Sequence, residues 1–306
     1  MTNIIICGIV KNVGNKLRNN IRLVKELKTK FNKCKLVIYE NNSNDNTKTI
    51  LKNIENEDNI KVIMENISDE EIKKSSKIWA YTKVTSSDHP CRIEQISNAR
   101  NKLIEEINKK DYNEFSVVVM IDLDSNGFNI QGIVNSVKQV EQNEKIVITG
   151  NSNPYYDYYA LRSKDSNLLG PELIGEKFWK ILYNNIIELD SNSSLREIYS
   201  GFNGVGVYHT NVFKKYKYNY IVDDNVKNMY AKMFNDIDNV YNKFKIEISK
   251  DCDKFPNGIY DEEIQGYWKN NSGYDKPVVC EHVCLHAALI NDGYKIYINP
   301  QMLYVR

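Results

Sequence analysis

The sequence has no excess of either charge, no long hydrophobic run, no paired cysteines and no internal repeat, and each absence removes a class of protein. The formal net charge is +1, so no basic field argues for nucleic acid and no acidic excess argues for a disordered chain. No run of about 18 apolar residues is available to span a bilayer. The apolar stretch between Met1 and Val10 is too short and too poorly flanked for a signal peptide. The six cysteines, at 7, 34, 91, 252, 280 and 284, are scattered, which fits free thiols in a reducing, cytoplasmic setting better than a disulfide framework. Structural zinc wants paired ligands from separated segments, and the Cys spacing does not supply them. No linker-like stretch interrupts the 306 residues, so a single domain is expected. A hydrophobic content of 42% is enough for a sizeable core. The 21 tyrosines suit a sugar-binding surface, although a nucleotide bias that also enriches Asn, Lys and Ile explains them as well.

What is present is an alternation of strand and helix. Ile4 to Val10 reads as a buried strand, Asn15 to Phe31 as a helix through Leu17, Ile21, Val24 and Leu27, and Leu36 to Tyr39 as a second strand. A polar loop, Glu40 to Thr47, then leads to a helix over 47–56, and Ile60 to Met64 gives a third strand. Arg92 to Lys109 is a strong amphipathic helix, and Phe115 to Ile121 is the most hydrophobic strand of the chain. Continuous apolar strands joined by helices predict an α/β fold with a mostly parallel sheet covered on both faces. Ligands in such sheets bind beyond the carboxyl ends of the strands, where Lys11-Asn12, Glu40 to Asp45, and Asp122 and Asp124 fall. The second half is less regular. Strands are expected at Ile146 to Thr149, Pro277 to Cys280 and Lys295 to Asn299, a helix within Glu172 to Asn185, and a helix from Glu281 to Asn291. Residues 222–275 show only weak periodicity.

The chemistry-bearing motif is Asp122-Leu123-Asp124. In an extended segment, residues i and i+2 point the same way, so two carboxylates converge just past a hydrophobic strand. Mn²⁺ or Mg²⁺ is commonly held by one or two carboxylates, with phosphates and waters completing the shell. Capping of the next helix is the alternative. Glu40 to Thr47 offers acceptors for a ribose and base, and it also serves as a helix-entry loop. Arg100 sits one to two turns into its helix, where it could meet a diphosphate or a carboxylate as a planar fork. His282 and His286 lie i,i+4 on one helix face. One of them is a candidate third cation ligand beside Asp124, with Glu281 nearby, and a purely structural His286 is the alternative.

Taken in order, these segments resemble glycosyltransferases of the GT-A fold. Tyr39 to Thr47 looks like the acidic-x-Ser-x-Asp-x-Thr loop of that superfamily, Asp122-Leu123-Asp124 like its DxD motif, and Glu281 to Leu285 through Gly293 to Pro300 like its C-terminal helix, turn and strand. Ile93 to Asn101, Tyr156 to Arg162 and Cys280 to Val283 are similar to motifs of fungal capsule-associated mannosyltransferases. The resemblance covers about residues 3–300. It implies a GT-A (Rossmann-like) domain over 1–306, with a nucleotide-binding half at 1–125 and an irregular acceptor-binding half at 126–306. It implies a hexose moved from a UDP- or GDP-sugar to a glycan or glycoprotein acceptor with Mn²⁺ or Mg²⁺. Ile9, Lys11, Asn12, Glu40 and Asn42 would border the nucleoside, Arg100 would face the diphosphate, and Asp122 would touch ribose or cation. Asp124 would bind the cation, together with His282 or His286. Tyr156, Asp157, Arg162 and the Gly201–Gly206 loop, Gly204 included, would form the sugar and acceptor side. Where many inverting members place Asp as base, this chain has His282 after Glu281, which leaves the stereochemistry open: in an inverting reaction Glu281 or His282 would deprotonate the acceptor hydroxyl, whereas a retaining one needs no such base and His282 or His286 could be a cation ligand. A nucleotidylyltransferase and a non-catalytic nucleotide- or glycan-binding module remain open. The segment Gly8 to Gly14 is poor for cradling a triphosphate, which weighs against the former.

Overall fold

The computed structural model describes residues 2–77, 79–80, 89–163, 169–175, 178, 188–235, 259–261, 266–268 and 277–306. Nine strands form one sheet: β1 (Asn3–Val10), β2 (Lys33–Asn41), β3 (Ile60–Glu65), β4 (Val117–Ile121), β5 (Gly127–Phe128), β6 (Ile146–Asn151), β7 (Arg196–Ile198), β8 (Val205–His209) and β9 (Lys295–Val305). Their order is β3-β2-β1-β4-β8-β6-β9-β5, with β7 also pairing β9. The first four pair in parallel, as the apolar runs predict. β8 then enters antiparallel to both β4 and β6, and β9 is parallel to β6. The carboxyl ends of β1, β2, β4, β6 and β9 and the start of β8 therefore lie at one sheet edge.

The helices are α1 (Asn15–Lys28), α2 (Thr47–Lys52), α3 (Asp69–Ser75), α4 (Arg92–Ile107), α5 (Ile130–Gln142), α6 (Pro171–Ile174), α7 (Thr210–Lys215), α8 (Asp224–Asn235) and α9 (Glu281–Asn291). Strand side chains alternate between the two faces. Ile4, Ile6, Val117, Val119 and Ile121 pack on one side with residues of α1 and α5. Ile5, Cys7, Val118 and Met120 pack on the other with α4, α8 and α9. Burial on both faces explains why β1 and β4 carry no polar alternation.

Three expectations change in the second half. Pro277 to Cys280 is not a strand: Val278 makes a single bridge to Ile221. β9 runs on to Val305, through Pro300, because its far end pairs with the short β5. The weakly periodic 222–275 region opens with α8. Of the helix expected within Glu172 to Asn185, α6 covers the start and most of the rest lies outside the described residues. Cysteines 7, 34, 280 and 284 are buried with free thiols and Cys91 is buried, while Cys252 is outside the described residues. Among the described residues no helix is long and apolar enough to cross a membrane.

Candidate functional site

The loops after β1 and β2 are tied together by the polar residues that the sequence placed there. The Asn12 amide donates to Ser43 Oγ at 2.9 Å, and the Asn44 amide donates to Asn12 Oδ1 at 2.8 Å. The amides of Val13 and Gly14 both donate to Thr47 Oγ1. Asn12 and Asn42 hold left-handed backbone, with φ of 54° and 56°, a region that Asn tolerates better than most residues. Glu40 is fully buried. Its Oε1 accepts the Ser43 amide at 2.7 Å, and its Oε2 has no partner in the protein. The Asn42 side chain is occupied elsewhere: it exchanges two hydrogen bonds with the backbone of Ile67, at 2.7 and 2.8 Å. Ile9 is half-buried at the end of β1, and Lys11 is exposed.

Asp122 and Asp124 follow β4 directly, and three elements hold them. The Asp122 amide donates to the carbonyl of Gly204 at 2.8 Å. Gly204 sits at φ +81°, and a Cβ there would lie 2.5 Å from the ring of Tyr304, so only glycine fits. The Tyr304 hydroxyl lies 2.9 Å from Asp124 Oδ1 and 3.1 Å from the Asp122 carbonyl, donating to this pair of oxygens. Asp122 keeps 28% of its side chain exposed, and Asp124 is exposed. Desolvation pushes the Asp122 carboxyl up to about 7, against the pull of Arg100 and with repulsion from Asp124.

Arg100 is buried between two carboxylates. Its Nη2 donates to Asp122 Oδ1 and its Nε to Glu281 Oε1, both at 3.1 Å. Nη1 is buried without a protein partner. The guanidinium lies over Phe202, 4.7 Å from the ring centroid, and near Tyr218, which Asn101 pins through two hydrogen bonds to its backbone. Burial works against this charge, but Asp122 and Glu281 outweigh it and hold the guanidinium above its usual value. Glu281, the first residue of α9, is buried beside it.

The two histidines lie deeper. His282 stacks on Phe202 at 3.8 Å, and neither ring nitrogen has a hydrogen bond among the described residues, Nε2 lying 3.5 Å from Glu281 Oε1. Desolvation, with the charge of Arg100, keeps it neutral, well below its usual range. His286 is fully buried and bonded through both nitrogens, to Ser200 Oγ at 3.1 Å and Tyr208 Oη at 3.0 Å. Burial lowers its pKa to about 3. Engagement of both nitrogens leaves His286 no lone pair for a cation, so its place is structural. Among the described residues, no group of three or more His, Cys, Asp or Glu is arranged to hold a metal ion. The carboxylate pair Asp122 and Asp124 does fit a hard cation that draws its remaining ligands from phosphate and water, because Asp124 is exposed and Tyr304 engages only one of its oxygens.

On the other side of this edge, Asp157 and Tyr156 are half-buried. Asn203, at φ 52° and fully buried, organises them: its Oδ1 accepts both of their amides at 3.3 Å, and its own amide donates to Asp157 Oδ2 at 3.1 Å. Desolvation, with Glu281 nearby, raises the Asp157 carboxyl to about 6, against the Asn203 amide. Arg162 is a correction. It is fully buried, paired in bidentate fashion with Glu172 at 2.6 and 2.7 Å, and bonded to Tyr230 Oη and the carbonyls of Tyr159 and Leu161. No face of it reaches an acceptor. Sequence reasoning missed Tyr304 and Tyr218, and it reached Phe202 and Asn203 only as members of the Gly201–Gly206 loop. The Asn203-Gly204 pair is a turn signal that marks the first half of this arrangement, whereas nothing local distinguishes Tyr304.

A family model described as cryptococcal mannosyltransferase 1 matches residues 8–236. No curated protein matches the chain. Among solved structures, it is similar to the mannosyltransferase PcManGT from Pyrobaculum calidifontis in complex with GDP-Man and Mn²⁺, at 9% identity and a TM-score of 0.40, over 71% of this chain and 47% of that one. It is also similar to S. aureus TarS 1-349 in complex with UDP-GlcNAc, at 12% identity and a TM-score of 0.37, over 71% and 49%. A third is M. tuberculosis glucosyl-3-phosphoglycerate synthase, at 11% identity and 0.36, over 69% and 58%. The chain thus spans about half the length of these structures.

Proposed function

The chain belongs to the cryptococcal mannosyltransferase 1 family, and from that premise we propose that it moves a hexose from a UDP- or GDP-linked donor to a hydroxyl of a glycan or protein acceptor, with Mn²⁺ or Mg²⁺ at Asp122 and Asp124. The observation that carries this reading is the convergence at one sheet edge of the linked β1 and β2 loops, the exposed Asp124 and the partly exposed Asp122. Residues 1–125 then form the donor side and 126–306 the acceptor side.

Glu40 and Asn12 border the nucleoside in this reading. The unpartnered Glu40 Oε2 supports that place, since a buried carboxylate oxygen gains from a donor such as a ribose hydroxyl. Asn42 supports the loop through Ile67 and does not touch the ligand. Arg100 acts behind Asp122, holding its carboxylate in place. The bound cation supplies charge stabilisation to the departing diphosphate. Asp157, with Tyr156 beside it, takes the proton of the acceptor hydroxyl, because the residue is half-buried at this edge and its carboxyl is raised to about 6. Glu281, a base candidate by sequence, serves instead to fix Arg100, which engages it in the interior, and His282, the other candidate, is buried against Phe202.

The test is release of hexose from GDP- and UDP-sugars with MnCl₂. EDTA should abolish turnover, and Asp124→Asn should lower kcat/KM by about 100-fold, in line with loss of one transition-state charge stabiliser. Full activity in EDTA would sink the cation role. Pyrophosphate release from a nucleoside triphosphate and a sugar phosphate would instead favour a nucleotidylyltransferase.

A further inference from the structure

We infer that Tyr304 is a positioning residue for Asp124, presetting its carboxylate for a divalent cation. The inference rests on the cation reading of Asp122 and Asp124 given above. Asp124 is an exposed side chain just past the end of a strand. Free to rotate, such a carboxylate must lose rotamer freedom on binding a cation. The Tyr304 hydroxyl removes that freedom beforehand by donating to Oδ1 at 2.9 Å, which leaves both lone pairs of Oδ2 free for a ligand. Hydrogen-bond partners of this kind orient metal ligands elsewhere and strongly influence affinity.

Tyr304 can do this because its own position is fixed from several sides. Its ring is buried and rests where Gly204 has no side chain. Its hydroxyl is also 3.1 Å from the carbonyl of Asp122, so one phenol bridges both members of the motif. Tyr304 pairs with Phe128 across β9 and β5. The Asn126 amide donates to the carbonyl of Val305 at 2.7 Å, and the Asn129 amide donates to that of Leu303 at 2.8 Å. The last strand is therefore stapled to the segment that follows Asp124, and the hydroxyl and carboxylate move as one unit.

Tyr304→Phe keeps the ring against Gly204 and removes only the hydroxyl. Mn²⁺ binding is measured on the full chain by the paramagnetic resonance signal of free Mn²⁺, with GDP and UDP each present in turn, alongside the melting temperature without metal. Tyr304→Phe should weaken Mn²⁺ binding about tenfold. It should have no further effect in an Asp124→Asn background, where the carboxylate it orients is gone. Unchanged Mn²⁺ affinity in a folded Tyr304→Phe protein overturns the inference and leaves the cation reading standing. An equal loss in both backgrounds also overturns it, because the hydroxyl would then act through the fold. Wild-type protein that takes up no Mn²⁺ with either nucleotide overturns the inference together with the cation reading. Should Tyr304→Phe not fold, Asp124→Ala in otherwise wild-type protein decides the matter: a shift in the ultraviolet difference spectrum of tyrosine on Mn²⁺ addition, absent in Asp124→Ala, supports the coupling, and no shift in wild type overturns it.

Discussion

Replacing Arg100 by Met should expose how the site's charges are balanced. Met preserves much of the aliphatic stem and loses the guanidinium that lies over Phe202 and Tyr218. It removes the donors to Asp122 and Glu281, each at 3.1 Å. The two acids are not equivalent. Asp122, with 28% of its side chain exposed, can recruit water, whereas the Glu281 side chain is only 6% exposed and cannot. Breaking a buried pair by deleting one partner costs about 3–5 kcal/mol, chiefly because a charge is left buried and uncompensated. Nearly all of that penalty should fall on Glu281. For a chain of this size such a loss lowers the melting temperature by about 5–8 °C. The double variant Arg100→Met with Glu281→Gln removes the stranded charge and should recover more than half of the loss, a coupling that a double-mutant cycle reads directly. Calorimetry of the four proteins at pH 8 without metal is the assay. A single variant melting within about 2 °C of wild type, or a double variant no more stable than the single one, would refute the reasoning that Arg100 holds Glu281 in its buried charged form.

Two further predictions follow from the neighbours of this pair. Asp157 has a folded-state pKa raised to about 6 from an ordinary 3.8, so its contribution to stability is fully present below about 4 and is lost as pH rises through 6. Asp157→Asn keeps an acceptor for the Asn203 amide and abolishes this loss, so its melting temperature relative to wild type should climb between pH 4 and pH 7 in thermal melts; a flat difference counts against it. Gly204→Ala should place a methyl 2.5 Å from the Tyr304 ring at a φ of +81°, costing about 1–3 kcal/mol and visible in urea unfolding as a lower midpoint with an unchanged slope.

The first half of the fold was legible because burial leaves a simple signature there. β1, β2 and β4 are apolar through their middles on both faces, and polar residues appear only toward the strand termini, at Asn3, Lys33 and Lys35 and at Glu40 and Asn41. A sequence that changes from Val-Val-Val-Met-Ile to Asp at residue 122 marks both the strand and the edge where a ligand can sit. β8 was harder to place. Its five residues, Val205 to His209, look like any short strand, and nothing local says that it inserts between β4 and β6 in the opposite sense. That insertion brings Gly204 against Asp122, and pairing of β9 with β5 brings Tyr304 to Asp124. Both contacts join residues more than 80 positions apart, so no spacing rule within a segment could reveal them.

The histidines show the same limit in a single helix. The i,i+4 spacing of His282 and His286 does put both on one face of α9, but it does not say what that face meets. α9 is buried along nearly its whole length, from Glu281 through Ala287 and at Leu289, so every face of its first turns meets protein. Inside such a helix an imidazole is held neutral by desolvation, and it must find a neighbour's hydroxyl, as His286 does, or a ring to stack on, as His282 does. Arg162 was misread for the same reason: an arginine beside Tyr156 and Asp157 looks like a ligand contact until Glu172, ten residues on, neutralises it in the core. Identity and local spacing name the groups that can do chemistry, whereas burial decides whether a substrate can reach them.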